Sequence, residues 1–152
     1  MLPDPQTLIK EFRKVAAIAG VDVPSDALTY DPLGAPHKPR RLPPNKMAVY
    51  VFSLNGECLK VGKVGPKSHA RFTSQHYSAK SSKSNLAKSL LACSDLALPG
   101  FSDATAGVWI RTNVDRTDFL LDAQCGVPVL TLLESFLQCR LKPRFEGFKS
   151  QR

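Results

Sequence analysis

Long apolar runs are absent from this sequence of 152 residues. No window approaches the roughly 18 to 20 consecutive apolar residues that an α-helix needs to span a bilayer. The first residues, MLPDPQTLIKEF, contain acidic residues and prolines where a secretory signal peptide has a basic start and an apolar run. We therefore expect a cytoplasmic protein that has no membrane partner.

Cysteine is scarce and widely spaced. Cys58, Cys93, Cys125 and Cys139 form no CxxC pair and have no histidine beside them at ligand spacing. Such an arrangement gives little support to a zinc site or to a disulfide framework. We expect reduced thiols that are mostly buried, because free cysteine is among the most frequently buried residue types.

Acidic residues are also few, since 13 Asp and Glu stand against 21 Lys and Arg and give a net charge of +8. The excess is concentrated in residues 47–102, which carry seven basic and two acidic side chains. A positive region of this kind favours a phosphate-bearing partner such as a nucleic acid. A solvated basic surface without a partner explains the same charge, so composition leaves both interpretations open.

The first 46 residues predict an N-terminal helix and a Pro-rich basic connector. Between residues 5 and 19, apolar side chains recur at helical spacing, and Gly20 supplies a stop. Residues 24–45 contain six prolines and the basic cluster HKPRR, which is typical of an extended surface segment. We interpret residues 1–46 as an arm and residues 47–152 as the main domain.

The main domain predicts an α+β fold, in which helices flank a small three-stranded antiparallel sheet. Two apolar runs around an Asn-Gly turn predict a hairpin, and helices are expected from near Pro66 and from near Leu86. The final segment VPVLTLLESFLQCRL, residues 127–141, predicts a helix with Pro128 in its first turn.

Two neighbouring segments complete this prediction. In AGVWIRTNV, residues 106–114, apolar and polar side chains alternate as in a third strand. The segment DRTDFLLDAQ, residues 115–124, is interpreted as a short helix, with Asp115 or Thr117 as its N-cap. The expected order is therefore two strands, two helices, one strand and two helices.

The hairpin raises a question at Lys60, which lies within its second apolar run. A two-residue loop at Asn55 and Gly56 would bury this ammonium in the apolar layer. A three-residue loop that begins at Leu54, with a bulge at Gly56, pairs Tyr50 directly with Lys60 instead. We therefore predict that one face carries Ala48, Tyr50, Phe52, Cys58, Lys60 and Gly62, while Val49, Val51, Leu59 and Val61 cover the core.

Glu134, on the final predicted helix, is a second charged residue at a position where an apolar residue is expected. It lies within a leucine stripe, four residues after Leu130 and three before Leu137. A buried carboxylate without compensation is costly, so Glu134 requires a proton or a cation. A structural ion pair with an arginine is one solution, and a metal ion is another.

Tyr50, Lys60 and Glu134 form a plausible set for cutting a phosphodiester bond. Such chemistry requires a group that orients or deprotonates water, positive charge for the transition state and a carboxylate for a divalent ion. Gly62 has no side chain, and we expect it to leave room for a substrate backbone.

These residues resemble the GIY-YIG endonuclease family. AVY, ending at Tyr50, stands where the first signature lies, and KVG, beginning at Lys60, stands where the second lies. Arg71 is similar to the family's arginine, and Glu134 to its metal-binding glutamate. The resemblance covers about residues 47–148. Lys60 replaces the usual tyrosine, as it does in some restriction enzymes of the family.

The resemblance implies a metal-dependent endonuclease that binds one Mg²⁺ or Mn²⁺ ion, chiefly through Glu134. It places Tyr50 near the attacking water and Arg71 on the scissile phosphate. Lys60 would hold or deprotonate the water, support Tyr50, or act as a fixed charge.

The chain departs from the family at two further positions. Many members have a histidine one helical turn after the arginine, where this sequence has Gln75 and places His76 one residue later. If the helix ends near residue 75, His76 or Tyr77 turns into the site; otherwise His76 is an exposed helix-end residue. The family's late asparagine has no counterpart, since KPRFEG offers Glu146 instead.

DNA is the expected partner, bound by a monomer or a homodimer. The predicted contacts to nucleic acid are Lys38, Arg40, Arg41, Lys63, Lys67, Gln75 and Tyr77. A restriction-like, mobile-element or defence role fits the length and the lysine variant. The first alternative is a nucleic-acid-binding module that has the fold without the chemistry. The second is a basic interaction protein in which Glu134 pairs with Arg140 or Arg71.

Overall fold

The structure, a computed structural model, describes residues 1–80 and 85–145. Within these ranges it is an α+β fold with a four-stranded antiparallel sheet in the order β1-β4-β2-β3. The strands are β1 Leu28–Gly34, β2 Lys46–Leu54, β3 Glu57–Val64 and β4 Asp115–Asp122. The helices are α1 Pro5–Ile18, α2 His69–Thr73, α3 Leu86–Leu91, α4 Ala106–Asn113 and α5 Val127–Leu141.

The first and last helices follow the predictions from periodicity. The side chain of Asp4 caps α1 by accepting a hydrogen bond from the backbone N–H of Thr7 at 3.1 Å. Pro128 lies in the first turn of α5, and Lys142 ends this helix in the left-handed conformation. Both helices pack on the same side of the sheet.

The Pro-rich connector contains a strand that the sequence did not predict. β1 pairs with β4 along Leu28–Gly34, and its register shifts between Pro32 and Gly34. Proline is tolerated in such a position because β1 is an edge strand. The sheet therefore has four strands rather than three, and residues 1–46 share both the sheet and the core with the rest of the chain.

The predictions for residues 106–114 and 115–124 were wrong. The first segment forms α4, in which Ala106 and Ile110 are buried one turn apart. The second forms β4, which pairs with both β1 and β2. Its period-2 pattern was hidden because Arg116 and Asp118 occupy buried positions where apolar residues are expected.

The hairpin register also differs from the prediction. The loop has two residues, Asn55 at φ 51° and Gly56 at φ 79°, and these positive values are typical of a type I′ turn. A bulge at Leu59 supplies the register shift that we had placed in the turn. Tyr50 therefore pairs with Gly62, and Lys60 pairs with Phe52.

The two faces of the sheet differ in chemistry. The apolar face packs against α1 and α5 and includes Met47, Val49, Val51, Cys58, Val61, Phe119 and Leu121. The polar face packs against the segment from α2 to α4 and carries Ala48, Tyr50, Phe52, Leu59, Lys60, Arg116 and Asp118. Cys58 and Leu59 thus lie on the faces opposite to those predicted.

Two further sequence expectations can be compared with the described residues. Cys58 is buried, Cys93 and Cys125 are partly exposed, and Cys139 is exposed, so the prediction of mostly buried thiols was wrong. All four are free thiols. Across 1–80 and 85–145, none of the helices has both the length and the apolar character needed to cross a bilayer.

Candidate active site

Tyr50 is the centre of the candidate site. It lies on β2 directly opposite Gly62 of β3, and its ring lies over this glycine. A Cβ atom at position 62 would overlap the ring and hydroxyl of Tyr50. The space above Gly62 is therefore filled by Tyr50, whereas we had expected it to admit a substrate backbone.

Two side chains from the segment after β3 reach the Tyr50 hydroxyl. Nε of Arg71 donates to it at 3.1 Å, and Nε2 of His76 lies 2.7 Å from it. Arg71 is on α2, which ends at Thr73, and a 3₁₀ turn over Gln75–Tyr77 follows. This break in the helix turns His76 inward, as one of the two sequence alternatives required.

The contacts of His76 determine where its proton lies. The backbone N–H of Leu86 donates to Nδ1 at 3.1 Å, so the neutral ring carries its proton on Nε2. His76 therefore donates to the Tyr50 hydroxyl. Burial, together with the nearby charges of Arg71, Lys60 and Arg116, lowers the pKa of His76 to about 2. The imidazole is neutral throughout the physiological range.

Tyr50 accepts hydrogen bonds from two donors, which leaves its own hydroxyl proton directed away from both. Burial raises the pKa of Tyr50 to about 12, Arg71 and Arg116 oppose this rise, and Glu134 adds to it. The phenol is therefore protonated at neutral pH.

Glu134 has a cation as its partner, but the cation is not an arginine. Nζ of Lys63, on β3, donates to Oε1 of Glu134 at 2.8 Å. Arg140 instead forms an ion pair with Glu11 of α1 at 2.9 Å. The Glu134 side chain is 16% exposed, so it lies near the surface at the β3 edge of the sheet.

Lys60 is buried, with 3% of its surface exposed, and so are Tyr50 and His76, at 0% and 1%. Nζ of Lys60 donates to the backbone carbonyl of Phe145 at 3.3 Å. The backbone N–H groups of Arg144 and Phe145 bind the carbonyls of Cys58 and Leu59, so this segment lies along the edge of β3. Of the predicted roles, that of a fixed charge close to His76 fits this position.

The donor set is compatible with a single hydrated divalent ion. Among the side chains at 1–80 and 85–145, no group of three or more His, Cys, Asp and Glu is placed to hold a metal. Mg²⁺ usually retains several waters and needs only one or two carboxylates beside the substrate phosphate. Glu134 is the residue that would hold it, and the ion would compete with the ammonium of Lys63.

A buried cluster on the polar face was not predicted from the sequence. Arg116 is fully buried and donates from Nε to Oδ1 of Asp118 at 2.7 Å. Burial opposes the charge on Arg116, but Asp118 and Tyr77 outweigh it and raise its pKa. The sequence signal for this cluster was the two-residue spacing of Arg116 and Asp118 in DRTDFLLD, because residues two apart lie on the same face of a strand.

Tyr77 belongs to this cluster rather than to a nucleic-acid surface. It is 6% exposed, and its hydroxyl accepts from Nη1 of Arg116 at 2.9 Å. Lys67 is exposed and precedes α2, and Gln75 is partly buried in the 3₁₀ turn. Lys67, Arg71 and Gln75 therefore do not share one helix.

The arm is fixed to the polar face by His37. Its ring donates from Nδ1 to the carbonyl of Val114 at 2.8 Å, and Nε2 lies 2.8 Å from the Tyr77 hydroxyl. The arm around it lines an open groove of about 550 Å³ formed by Pro32, Leu33, Pro36, His37, Lys38, Pro39, Arg40 and Arg41.

The three predicted basic contacts of the arm differ in their surroundings. Lys38, Arg40 and Arg41 are all exposed, and Arg40 also donates to Asp31 at 2.7 Å. The arm therefore presents positive charge at the surface from a fixed backbone. Glu146, considered above as a substitute for the family's asparagine, lies outside the described residues.

No family model, curated protein or solved structure matches this chain. The resemblance to the GIY-YIG family therefore stays a prediction, and function is inferred from the site itself.

Proposed function

We propose that this protein is a divalent-metal-dependent endonuclease that hydrolyses phosphodiester bonds in DNA. The observation that carries the proposal is the convergence of Arg71 and His76 on the Tyr50 hydroxyl. A buried tyrosine that has a raised pKa and two side-chain donors at its hydroxyl is a candidate for holding a polar reactant.

Tyr50 and His76 would orient the attacking water. The two donors to the phenolic oxygen stabilise negative charge there, and its own proton points away from both donors. Because Tyr50 is fully buried, a water molecule or a phosphate oxygen would reach this proton only after the side chains that cover it move. Because the pKa of Tyr50 is about 12, the phenol acts as a base only when a further positive charge approaches. Neutral His76 keeps the hydroxyl oriented throughout the physiological pH range.

Arg71 and Glu134 would act on the phosphate and on the ion. Nε of Arg71 is used by Tyr50, so its two Nη groups are the donors that would face a phosphate. A divalent ion at Glu134 would supply positive charge at the scissile phosphate and lower the pKa of nearby water. Lys63 would release Glu134 when the ion binds.

Cations around the site would hold the DNA backbone. Lys67 is exposed just before α2, and Lys38 and Arg41 are exposed on the arm. Contacts of this kind strengthen binding to phosphates without selecting a base sequence. The proposal therefore includes DNA affinity that decreases steeply with salt concentration.

The test is a plasmid-nicking assay with Mg²⁺, in which Glu134→Ala and Tyr50→Phe are compared with wild-type protein. Two variants serve as matched controls. Glu11→Ala removes a glutamate from another ion pair, and Tyr30→Phe removes the hydroxyl of an exposed tyrosine. We expect the site variants to lose about 10²-fold or more of the cleavage rate, as for other preorganised catalytic groups, and the controls to retain it.

Absence of cleavage of duplex, single-stranded and branched DNA by clean wild-type protein would contradict the proposal. If that protein still binds DNA, the alternative is a nucleic-acid-binding module. One observation favours this alternative: Lys63 satisfies the Glu134 carboxylate without a metal. Titration of wild-type protein with Mn²⁺ distinguishes the nuclease from the binding module, because only the nuclease requires an ion at Glu134.

A further inference from the structure

Arg116 forms hydrogen bonds to the residues that directly follow Arg71 and His76, the two donors to the Tyr50 hydroxyl. Its Nη2 donates to the backbone carbonyl of Phe72 at 2.8 Å, one residue after Arg71. Its Nη1 donates to the hydroxyl of Tyr77 at 2.9 Å, one residue after His76. One guanidinium therefore connects both ends of the segment that reaches the Tyr50 hydroxyl.

The guanidinium itself has a fixed position. Nε is bound to Asp118, which pairs with Tyr50 across β2 and β4, and the group lies 4.7 Å from the centre of the Phe72 ring. It is completely buried, so solvent does not compete for its donors. A planar guanidinium with three directed hydrogen bonds fixes orientation in a way that a lysine ammonium does not.

The arm completes this arrangement through His37. Because Nδ1 of His37 donates to the Val114 carbonyl, its neutral ring accepts at Nε2 from the Tyr77 hydroxyl. Tyr77 thus donates to His37 and accepts from Arg116. The orientation of this hydroxyl is determined from both sides.

Local structure alone does not fix the segment between Arg71 and Tyr77. α2 has only five residues, and neither Ser68 nor Ser74 caps a helix with its side chain. Isolated helices of this length are unstable in water. The contacts that define its path are therefore tertiary contacts, and those of Arg116 are among them.

We propose that Arg116 is a positioning residue for the candidate nuclease site, and that it holds Arg71 and His76 at the Tyr50 hydroxyl. The inference rests on the proposed function for its kinetic consequence, but its structural consequence is independent of cleavage. Arg116 does not contact the reacting atoms and acts through Phe72 and Tyr77.

The experiment compares Arg116→Lys, Tyr77→Phe and Arg111→Lys. Arg116→Lys keeps a positive charge but loses the planar guanidinium. Tyr77→Phe removes a hydroxyl that accepts a hydrogen bond from Arg116, with little change in volume. Arg111→Lys is the matched control, because Arg111 also lies over the Tyr77 ring, at 5.7 Å, but is only partly buried. Thermal unfolding of each variant identifies those that are folded.

The first measurement is the ¹⁵N NMR spectrum of His76. Wild-type protein and Arg111→Lys should show a single tautomer protonated at Nε2. Folded Arg116→Lys or Tyr77→Phe should show altered ¹⁵N shifts and a loss of that single tautomer. An unchanged His76 spectrum in a folded variant at either position would overturn the proposal. If Arg116→Lys does not fold, the result for Tyr77→Phe decides.

The second measurement is cleavage of supercoiled plasmid with Mg²⁺. We expect kcat to fall by about 10²-fold in the Arg116 and Tyr77 variants, as for displacement of a catalytic group by about 1 Å, while KM changes little. An equal loss in Arg111→Lys would contradict a specific role. If wild-type protein does not cleave DNA but the His76 spectrum responds as expected, the proposed function fails and the positioning role stands.

Discussion

The apolar and polar faces of the sheet belong to the same strands but bury different chemistry. The apolar face packs leucines of α5 and Phe12 of α1 against valines of β2 and β3. The polar face buries Arg116, Asp118 and Lys60 among aromatic rings. Burial of apolar area stabilises the first face. The second requires that each charge has a partner. The apolar face should therefore tolerate changes among apolar residues of similar volume, whereas the polar face depends on specific pairs of charged residues.

The largest expected effect breaks a pair on the polar face. Arg116→Met leaves Asp118 buried without its cation, and we expect a loss of about 3–5 kcal/mol in the free energy of unfolding. The double variant Arg116→Met, Asp118→Leu should recover part of this loss, because an apolar pair removes the unpaired charge. Urea denaturation measures both.

The matched experiment on the apolar face uses Leu133 and Leu137 of α5, which are both buried. Each change to alanine should cost about 2–5 kcal/mol, and the double variant should be less stable than either single variant. The contrast would be confirmed if the second substitution raises the free energy of unfolding on the polar face and lowers it further on the apolar face. A double Arg116, Asp118 variant no more stable than Arg116→Met would contradict it.

The next prediction concerns the close approach of Tyr50 to Gly62. Gly62→Ala places a methyl group where the Tyr50 ring lies, and we expect a loss of about 1–3 kcal/mol from overpacking. Gly65→Ala, three residues later, meets open space and should stay within about 0.5 kcal/mol of wild type. Comparable stability of the two variants in urea would show that Tyr50 does not need this contact.

The contrast between the two faces also explains which parts of the fold the sequence predicts. α1, α2, α3, α5 and the existence of the hairpin were predicted, because apolar periodicity and turn or cap residues mark these segments. β4 was missed because Arg116 and Asp118 imitate solvent-exposed residues. The hairpin register was missed because the extra residue lies in a bulge at Leu59, which no local signal distinguishes from a bulged turn.

The candidate site was predictable to a similar extent. The sequence placed Tyr50, Arg71 and His76 in one site, and the structure brings their side chains together. It did not identify Lys63 as the partner of Glu134, because that contact joins residues 71 positions apart. Contacts across such distances depend on how α5 lies on the sheet, which periodicity does not specify.

A smaller effect is expected from pH. The pKa of His76 is lowered from about 6.5 to about 2 in the folded protein. Below pH 6.5 the unfolded chain binds a proton that the folded protein does not, so stability falls as the pH falls toward 2. His76→Gln should remove about 1 kcal/mol per pH unit of this loss between pH 6.5 and 5. Exposed His69→Gln is the control, and an unchanged slope in His76→Gln would contradict the assignment.

The smallest effect is expected on the outer side of the apolar face, where Arg140 pairs with Glu11 at 2.9 Å. The two side chains are 43% and 36% exposed, so water and salt screen their attraction. Arg140→Ala should therefore leave the urea midpoint unchanged within error, although its Nε–O distance is close to the 2.7 Å between Arg116 and Asp118. Because distance is matched and burial is not, a large destabilisation by Arg140→Ala would show that geometry rather than burial determines the cost of losing an ion pair in this fold.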